Sequence, residues 1–311
     1  MELIRGLHNL REQHRHCVAT IGNFDGVHLG HQAVIDQCLE KAVQLGLPCV
    51  VISFEPQPQE FFRKDQAPPR LTRLREKLQA LKPHHLDRVL CLRFDDHLAG
   101  LSAAEFVDTV LVQGLDVKYL VVGDDFRFGK DRSGDFAFLQ SSGAAAGFEV
   151  CNTRSFLRDG ERVSSTRIRQ ALEQGDFMLA QQLLGRPYGM CGRVAHGDKR
   201  GRTIGFPTAN IYLHRCNTPV LGVYAVLMTG LGGEARQGVA NIGNRPTVDG
   251  QRTLLEVHLF DFDAEIYGVY VEVLFIQKIR SEQRFESFEA LKQQIHKDAV
   301  AARAIFAGSE A

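Results

Sequence analysis

The spacing of apolar residues changes once along this chain, near residue 185, and that change limits the fold more than any other feature. Upstream, short apolar runs alternate with stretches whose apolar residues return every three or four positions. Cys17–Ile21 reads as a buried strand, then Ile35, Cys38, Leu39 and Ala42 recur at helical spacing and Gly46 offers a stop. Cys49–Phe54 is the next strand, and Leu74, Leu78 and Leu81 mark a helix ended by Pro83. Val89–Leu92 is strand-like. Ser102 and Glu105 form a capping box before Phe106, Val107, Val110 and Leu111, and Val117–Val122 is a further strand. Strands separated by helices imply an α/β unit with a doubly wound parallel sheet, which binds ligands at the carboxyl ends of its strands.

After Gly185-Arg186-Pro187 the period becomes two. Val269, Val271, Val273 and Phe275 alternate with Tyr270, Glu272, Leu274 and Ile276, and Leu255, Val257 and Leu259 alternate with Leu254, Glu256, His258 and Phe260. Gly-rich turns separate the runs, so this half reads as antiparallel strands in a small barrel or sandwich. One amphipathic helix carrying Phe288, Leu291 and Ile295 closes the chain. The 311 residues suit two domains at about 150 each, set at 1–185 and 186–311.

Charge removes some function classes. The 37 Lys and Arg balance 37 Asp and Glu, which argues against a nucleic-acid coat, since neutralising phosphates needs surplus cations. Local anion sites remain open. The seven cysteines show no Cys-x-x-Cys spacing and mostly sit in apolar runs, the pattern of buried thiols in a reducing compartment. No apolar h-region follows Glu2 and Arg5, and no apolar run approaches the roughly 20 residues that span a bilayer. The expectation is a soluble cytoplasmic protein with small-molecule substrates, no nucleic-acid or membrane partner, and a monomeric or weakly oligomeric state.

The first candidate site follows the Cys17–Ile21 strand. Gly22-Asn23-Phe24-Asp25-Gly26-Val27-His28-Leu29-Gly30-His31 leads into a helix. The glycines let backbone approach a ligand, and a helix start offers N–H groups and a positive dipole end to phosphate. His28 and His31, three apart, can face the same way and hold phosphoryl oxygens as charge builds. A metal pair is one alternative, but Asp25 is the only nearby carboxylate and the zincin Glu is missing. A structural role is the other.

This string resembles the H-x-G-H signature of the nucleotidyltransferase superfamily, and in full it resembles the flavin adenylyltransferase branch. Two further stretches are similar to that branch: Gly123-Asp124-Asp125-Phe126-Arg127-Phe128-Gly129, after a strand, and Ser164-Ser165-Thr166-Arg167-Ile168-Arg169, at a helix start. The resemblance implies that Gly22, Asn23, Phe24, Asp25 and Gly26, with Ser164, Ser165, Thr166 and Arg169, bind nucleotide. Asp125 and Arg127 would lie near flavin or nucleotide, although the family often carries Asn where Asp125 stands.

The second candidate site lies in the other half. The basic loop Gly197-Asp198-Lys199-Arg200-Gly201-Arg202-Thr203-Ile204-Gly205 precedes Phe206-Pro207-Thr208-Ala209-Asn210 and is not a Walker A motif. On an extended segment Thr208 and Asn210 point the same way, and a hydroxyl and an amide carbonyl are hard oxygen ligands fit for Mg²⁺. Glu256 faces away from Leu255, Val257 and Leu259. If those three face the core, the Glu256 face is open to a ligand; if the faces are reversed, Glu256 is a buried acid needing a partner.

The loop and P-T-A-N string resemble the riboflavin kinase family, as do Gly222–Val226, Asn241–Thr247 and Leu255–Phe262. The resemblance implies a six-stranded barrel with a terminal helix, Glu256 as base, Thr208 and Asn210 on Mg²⁺, and phosphates under a loop that includes Gly197, Lys199, Gly201, Arg202 and Gly205. Taken together, both halves resemble the bacterial bifunctional riboflavin kinase/FMN adenylyltransferases, or FAD synthetases. That resemblance implies ATP as co-substrate, with riboflavin, FMN and FAD as substrates and products. A kinase with a degenerate second half and a flavin-binding sensor without turnover are the rival readings.

Overall fold

The structure is a computed structural model that describes residues 1–123, 125–153, 156–196, 206–213, 215, 217–247 and 250–309. Its contacts divide the chain into two compact units. The first comprises Met1–Pro68 and Thr72–Ser165, the second Pro69–Leu71 and Thr166–Ala311.

The first unit contains β1 (Glu2–Arg5), β2 (Cys17–Ile21), α1 (Leu29–Leu45), β3 (Cys49–Glu55), α2 (Pro58–Arg63), α3 (Leu74–Leu81), β4 (Arg88–Arg93), α4 (Asp96–Gly100), α5 (Ala103–Phe106), β5 (Val117–Gly123), α6 (Phe136–Ala146), β6 (Glu149–Thr153) and the hairpin β7 (Leu157–Arg158) and β8 (Glu161–Arg162). Six strands form one parallel sheet in the order β1-β4-β3-β2-β5-β6. The order switches at β2, because β3 lies on one side of it and β5 on the other. A crevice therefore opens over the carboxyl ends of β2 and β5.

Helices cover both faces, as an all-parallel sheet requires. On one side Ile35, Cys38 and Ala42 of α1 pack on Val18, Val51, Val89 and Val121. The helix stops at Gly46, where φ is 66°, the left-handed position that glycine takes without a Cβ clash. On the other side Phe106, Val107, Val110, Leu111 and Leu139 cover Ala19, Ile52, Leu90, Leu120 and Val122. The Ser102/Glu105 box is formed, but its helix runs only one α-turn before becoming a π-helix over Val107–Gly114.

Three cysteine thiols, those of Cys17, Cys38 and Cys49, are part of this core. Cys17, Cys38, Cys49, Cys91 and Cys191 are buried thiols outside any disulfide, and Cys151 is half-buried. Burial pushes the Cys17 thiol up to about 12. The seventh, Cys216, lies outside the described residues.

The second unit takes α7 (Ser165–Gln174) from Thr166 onward, then α8 (Phe177–Leu184), β9 (Gly189–Ala195), β10 (Ala209–Tyr212), β11 (Gly222–Thr229), β12 (Arg236–Thr247), β13 (Gly250–Leu259), β14 (Tyr270–Arg280) and α9 (Phe288–Ser309). The six strands close into an antiparallel barrel in the order β10-β13-β12-β11-β14-β9. Of the two architectures that a period of two allows, the chain adopts the barrel, which leaves no sheet edge unpaired. Tyr224 and Phe275 meet edge-on at 5.3 Å, and Phe177 of α8 packs on both. Burial pushes the Tyr224 hydroxyl up to about 12, so it stays a neutral donor to the Leu221 carbonyl at 2.8 Å.

The packing stripe of α9 is the expected one, but the turns that meet the barrel lie further along it. Phe288 is 59% exposed, and the packing runs instead through Ala299, Ala302 and Phe306 against Val223, Ala225 and Val239. Small residues let a helix lie close to a sheet, and the apolar period of a helix does not reveal which of its turns meets a partner. Asp298 anchors this contact through Arg280 of β14, at 2.7 and 2.9 Å.

Candidate active sites

The turn after β2 stands at the switch point. Gly26 has φ of 85°, and Phe24 and Val27 also lie at positive φ, 48° and 44°. For a β-branched residue such as Val27 that conformation is rare and costs on the order of 1–2 kcal/mol. Fixed contacts from distant segments hold it. Asp25 accepts from the Thr72 N–H at 3.0 Å and hydroxyl at 3.3 Å, and the Gly26 N–H donates to that hydroxyl at 2.9 Å. Gln32 Nε2 donates to the Val27 carbonyl at 3.0 Å. The carboxylate of Asp25 thus braces the turn from beneath.

His28 is the N-cap of α1 rather than part of the helix. Its Nδ1 accepts from the His31 N–H at 3.2 Å, so the proton of the neutral ring is on Nε2. The two imidazoles stack with centroids 3.6 Å apart and 15° between planes. They do face the same way, and the cap decides which nitrogen of His28 donates. A Cβ at Gly30 would lie 3.1 Å from the His28 ring and 3.3 Å from the Val163 carbonyl, so a small residue is needed there.

The third motif reaches the same turn. Ser165 Oγ donates to the Asp25 carbonyl at 2.9 Å, across 140 residues of sequence. Ser164 precedes α7 and Thr166 lies in its first turn. Arg169 Nε donates to the Pro69 carbonyl at 2.7 Å. The second motif follows β5. There Asp125 pairs with Arg162 of the β7–β8 hairpin at 2.9 Å, an exposed pair, and Arg127 donates to the Phe126 carbonyl at 2.9 Å.

Sequence reasoning did not single out the aromatic residues beside this crevice. Phe54 is the next-to-last residue of β3, Phe94 follows β4, and Phe61 and Phe62 lie on α2. Phe94 meets the other three rings edge-on at 5.4–5.8 Å, and Phe62 is 66% exposed. The available signal was composition, 20 Phe with no Trp.

In the barrel the faces are resolved. Leu255 and Val257 are fully buried and Leu259 is 6% exposed, while Glu256 lies half-buried on the opposite face. Strand register places Asn210 of β10 directly across from Glu256 on one side and Asn241 of β12 on the other. Opposed residues point to the same face with Cβ atoms about 5 Å apart. The result is a polar row, Asn210–Glu256–Asn241, on the outside of the barrel. Thr208 lies just before β10, and Asn210 Nδ2 donates to its carbonyl at 3.4 Å, directing Oδ1 along the other branch of the amide. A cavity of about 340 Å³ opens beside Thr208, walled by Val194, Val257, Leu259, Ile266 and Tyr267. The loop residues Gly197, Lys199, Gly201, Arg202 and Gly205 lie outside the described residues. Among the described residues no group of three or more His, Cys, Asp and Glu could hold a metal, and no helix is long and apolar enough to cross a membrane.

A strained, braced turn at a switch point in one unit, and in the other a barrel that sets a carboxylate between two amides, fit a two-domain transferase of phosphoryl and nucleotidyl groups. The family model for FAD synthetase matches residues 10–167, and that for riboflavin kinase matches residues 184–306. The chain is 53% identical over 98% of both chains to the bifunctional riboflavin kinase/FMN adenylyltransferase of Escherichia coli strain K12. It is 54% identical over 99% of both chains to that of Pseudomonas fluorescens. A crystal structure of a Streptococcus pneumoniae protein named as a macrolide-efflux protein matches with a TM-score of 0.82 and 31% identity, over 97% of this chain and 99% of that one. The chain belongs to the bifunctional riboflavin kinase/FMN adenylyltransferase family.

Proposed function

We propose that this chain makes FAD from riboflavin in two ATP-dependent steps: residues 186–311 phosphorylate riboflavin to FMN, and residues 1–185 adenylylate FMN to FAD. One observation carries the reading. The stacked histidine turn and the Asn210–Glu256–Asn241 row are both intact in a chain that aligns end to end with bifunctional relatives. A degenerate half would have no need of a strained, thrice-braced turn.

In the barrel, Glu256 accepts the proton of the ribityl 5′-hydroxyl. The freed oxygen attacks the γ-phosphorus, the bond to the β-phosphate oxygen breaks, and FMN and ADP result. Thr208 and Asn210 offer the hard oxygens that Mg²⁺ takes beside phosphate oxygens and water, and the bound ion would neutralise phosphate charge. The cavity beside Thr208, where Val257 and Leu259 stand with Asp263 and Glu265, takes the purine. The segment with Gly197, Lys199, Gly201, Arg202 and Gly205 covers the phosphates.

In the α/β unit a phosphate oxygen of FMN attacks the α-phosphorus of ATP, and pyrophosphate leaves. That phosphate is already anionic near neutral pH, so donors count for more than a base. His28 donates through Nε2, with His31 stacked beside it, to oxygens that gain charge in the transition state. Gly22, Asn23, Phe24 and Gly26 supply backbone, Ser164 and Ser165 supply hydroxyls, and Asp25 braces the turn. The phenylalanine shelf receives the isoalloxazine, with Asp125 and Arg127 nearby. The partners are these small molecules alone, in the cytoplasm, with the protein monomeric or weakly associated.

Incubation of purified protein with riboflavin, ATP and Mg²⁺, followed by chromatography over time, tests the whole reading. FMN should rise first and FAD follow. FMN without FAD would leave only the kinase, and riboflavin binding without ATP consumption would leave only a sensor.

A further inference from the structure

Lys77 of α3 is fully buried, yet it belongs to neither constellation. A lysine loses its hydration when buried and is retained only where polar groups receive its ammonium. Its Nζ donates to Ser53 Oγ at 3.0 Å, and Ser53, itself fully buried near the end of β3, donates its hydroxyl hydrogen to the Asn23 carbonyl at 3.4 Å. A cation therefore stands two hydrogen bonds from the peptide that joins Asn23 to Phe24.

Peptide geometry gives that chain a direction. The unit is planar and trans, so its C=O and N–H point opposite ways. A carbonyl drawn inward to Ser53 turns the Phe24 N–H outward, on the side of the turn that faces away from the core. Phe24 sits at a φ of 48°, an unfavourable conformation that needs external contacts to hold it. Hydrogen bonds in series polarise one another, and a cation at the head of the series strengthens each donor along it.

We propose that Lys77 is a positioning residue for adenylyl transfer: through Ser53 and the Asn23 carbonyl it fixes and polarises the Phe24 N–H as an anion donor to the ATP triphosphate. This rests on the reading that the turn after β2 takes that triphosphate. The arrangement places positive character at the phosphates while the ammonium itself stays out of the ligand's reach. α3 thus supports the turn at two points, through Lys77 and through Thr72 just ahead of its first turn.

The test uses the full chain with both activities measured in each variant. Ser53→Ala removes one oxygen, and Lys77→Met keeps the length of the side chain without its charge. Each should raise the KM for ATP in FMN adenylylation by about tenfold, the loss expected for one hydrogen bond to a charged group, with kcat changed less. Riboflavin phosphorylation should stay within about twofold in the same samples, as an internal control for folding. The double variant should be no worse than Lys77→Met alone, because both changes break one series. If Lys77→Met does not fold, Ser53→Ala decides. Wild-type KM for ATP in the variants, with His28→Ala inactive in adenylylation, would overturn the relay alone. Independent, multiplying effects of the two substitutions would also overturn it. A His28→Ala protein that still makes FAD normally would overturn the site reading, and the relay with it.

Discussion

The two candidate sites are built by opposite routes. In the barrel, Asn210, Glu256 and Asn241 come together because three neighbouring strands pair in one register, and regular backbone does the positioning. In the α/β unit the groups proposed to act on ATP sit on an irregular turn with Phe24 and Val27 at positive φ, held by contacts with Thr72 and Ser165. A strand face is rigid by repetition, whereas a turn must be held from elsewhere in the sequence. In exchange, a turn brings backbone N–H groups to the ligand, which a strand inside a closed barrel cannot do because its amides are already paired. Handling a triphosphate at its α-phosphorus calls for many donors. Taking a proton from a hydroxyl calls for one well-placed carboxylate.

The largest expected effect breaks the barrel site alone. Glu256→Ala should lower riboflavin phosphorylation by about three orders of magnitude, as loss of a positioned base does, while conversion of supplied FMN to FAD stays at the wild-type rate. Measuring the two reactions separately, with riboflavin or FMN as the starting flavin, checks this. Loss of both would mean that the sites do not work independently.

The converse experiment is His28→Ala. Adenylylation should fall by about a hundredfold or more, on the scale of removing one transition-state donor, with phosphorylation unaffected. The variant also loses the cap on α1, at a cost of about 1 kcal/mol, so its melting temperature should be recorded beside its rates. His28→Asn separates the two roles, since Asn caps well but lacks the imidazole. It should restore stability without restoring adenylylation.

How much of this was legible in the sequence follows the same division. Elements set by local period were read directly: β2, α1 with its Gly46 stop, and the alternation that sets Leu255 and Val257 on one face and Glu256 on the other, although which face is inside came only from the packing. The histidine turn was legible as a motif, because its residues are contiguous. What holds it was not. Thr72 is 47 residues from Asp25, and nothing in a threonine before a helix announces that it clasps a distant carboxylate. Asp25 itself read as a ligand-binding carboxylate and is engaged with Thr72. The phenylalanine shelf is assembled from β3, α2 and the end of β4, so no single stretch displays it. Phe288 misled for the same reason, since the helical period names a face but not its partner.

Thr72→Val probes the bracing at nearly constant side-chain volume. The Gly26 N–H and the Asp25 carboxylate both lose the hydroxyl, and the strained turn has one fixed point fewer. Adenylylation should drop by about tenfold, corresponding to one or two ordinary hydrogen bonds. Phosphorylation should not change. A wild-type adenylylation rate would mean that α1 and Ser165 suffice to shape the turn, and the contrast between the two sites would narrow.

The smallest effect concerns the barrel row, and it is read from the two rates side by side. Asn241 lies directly across from Glu256, so Asn241→Asp changes an amide to a carboxylate of nearly equal size beside the proposed base. The strand pairing is unchanged, and the added negative charge opposes the anionic phosphates that the site would take. Phosphorylation should fall by about threefold, with conversion of FMN to FAD unchanged in the same sample. If both rates fall together, the change reports on the fold as a whole. If neither falls, Asn241 and Glu256 do not share a microenvironment despite their register, and cross-strand pairing is not what positions the base.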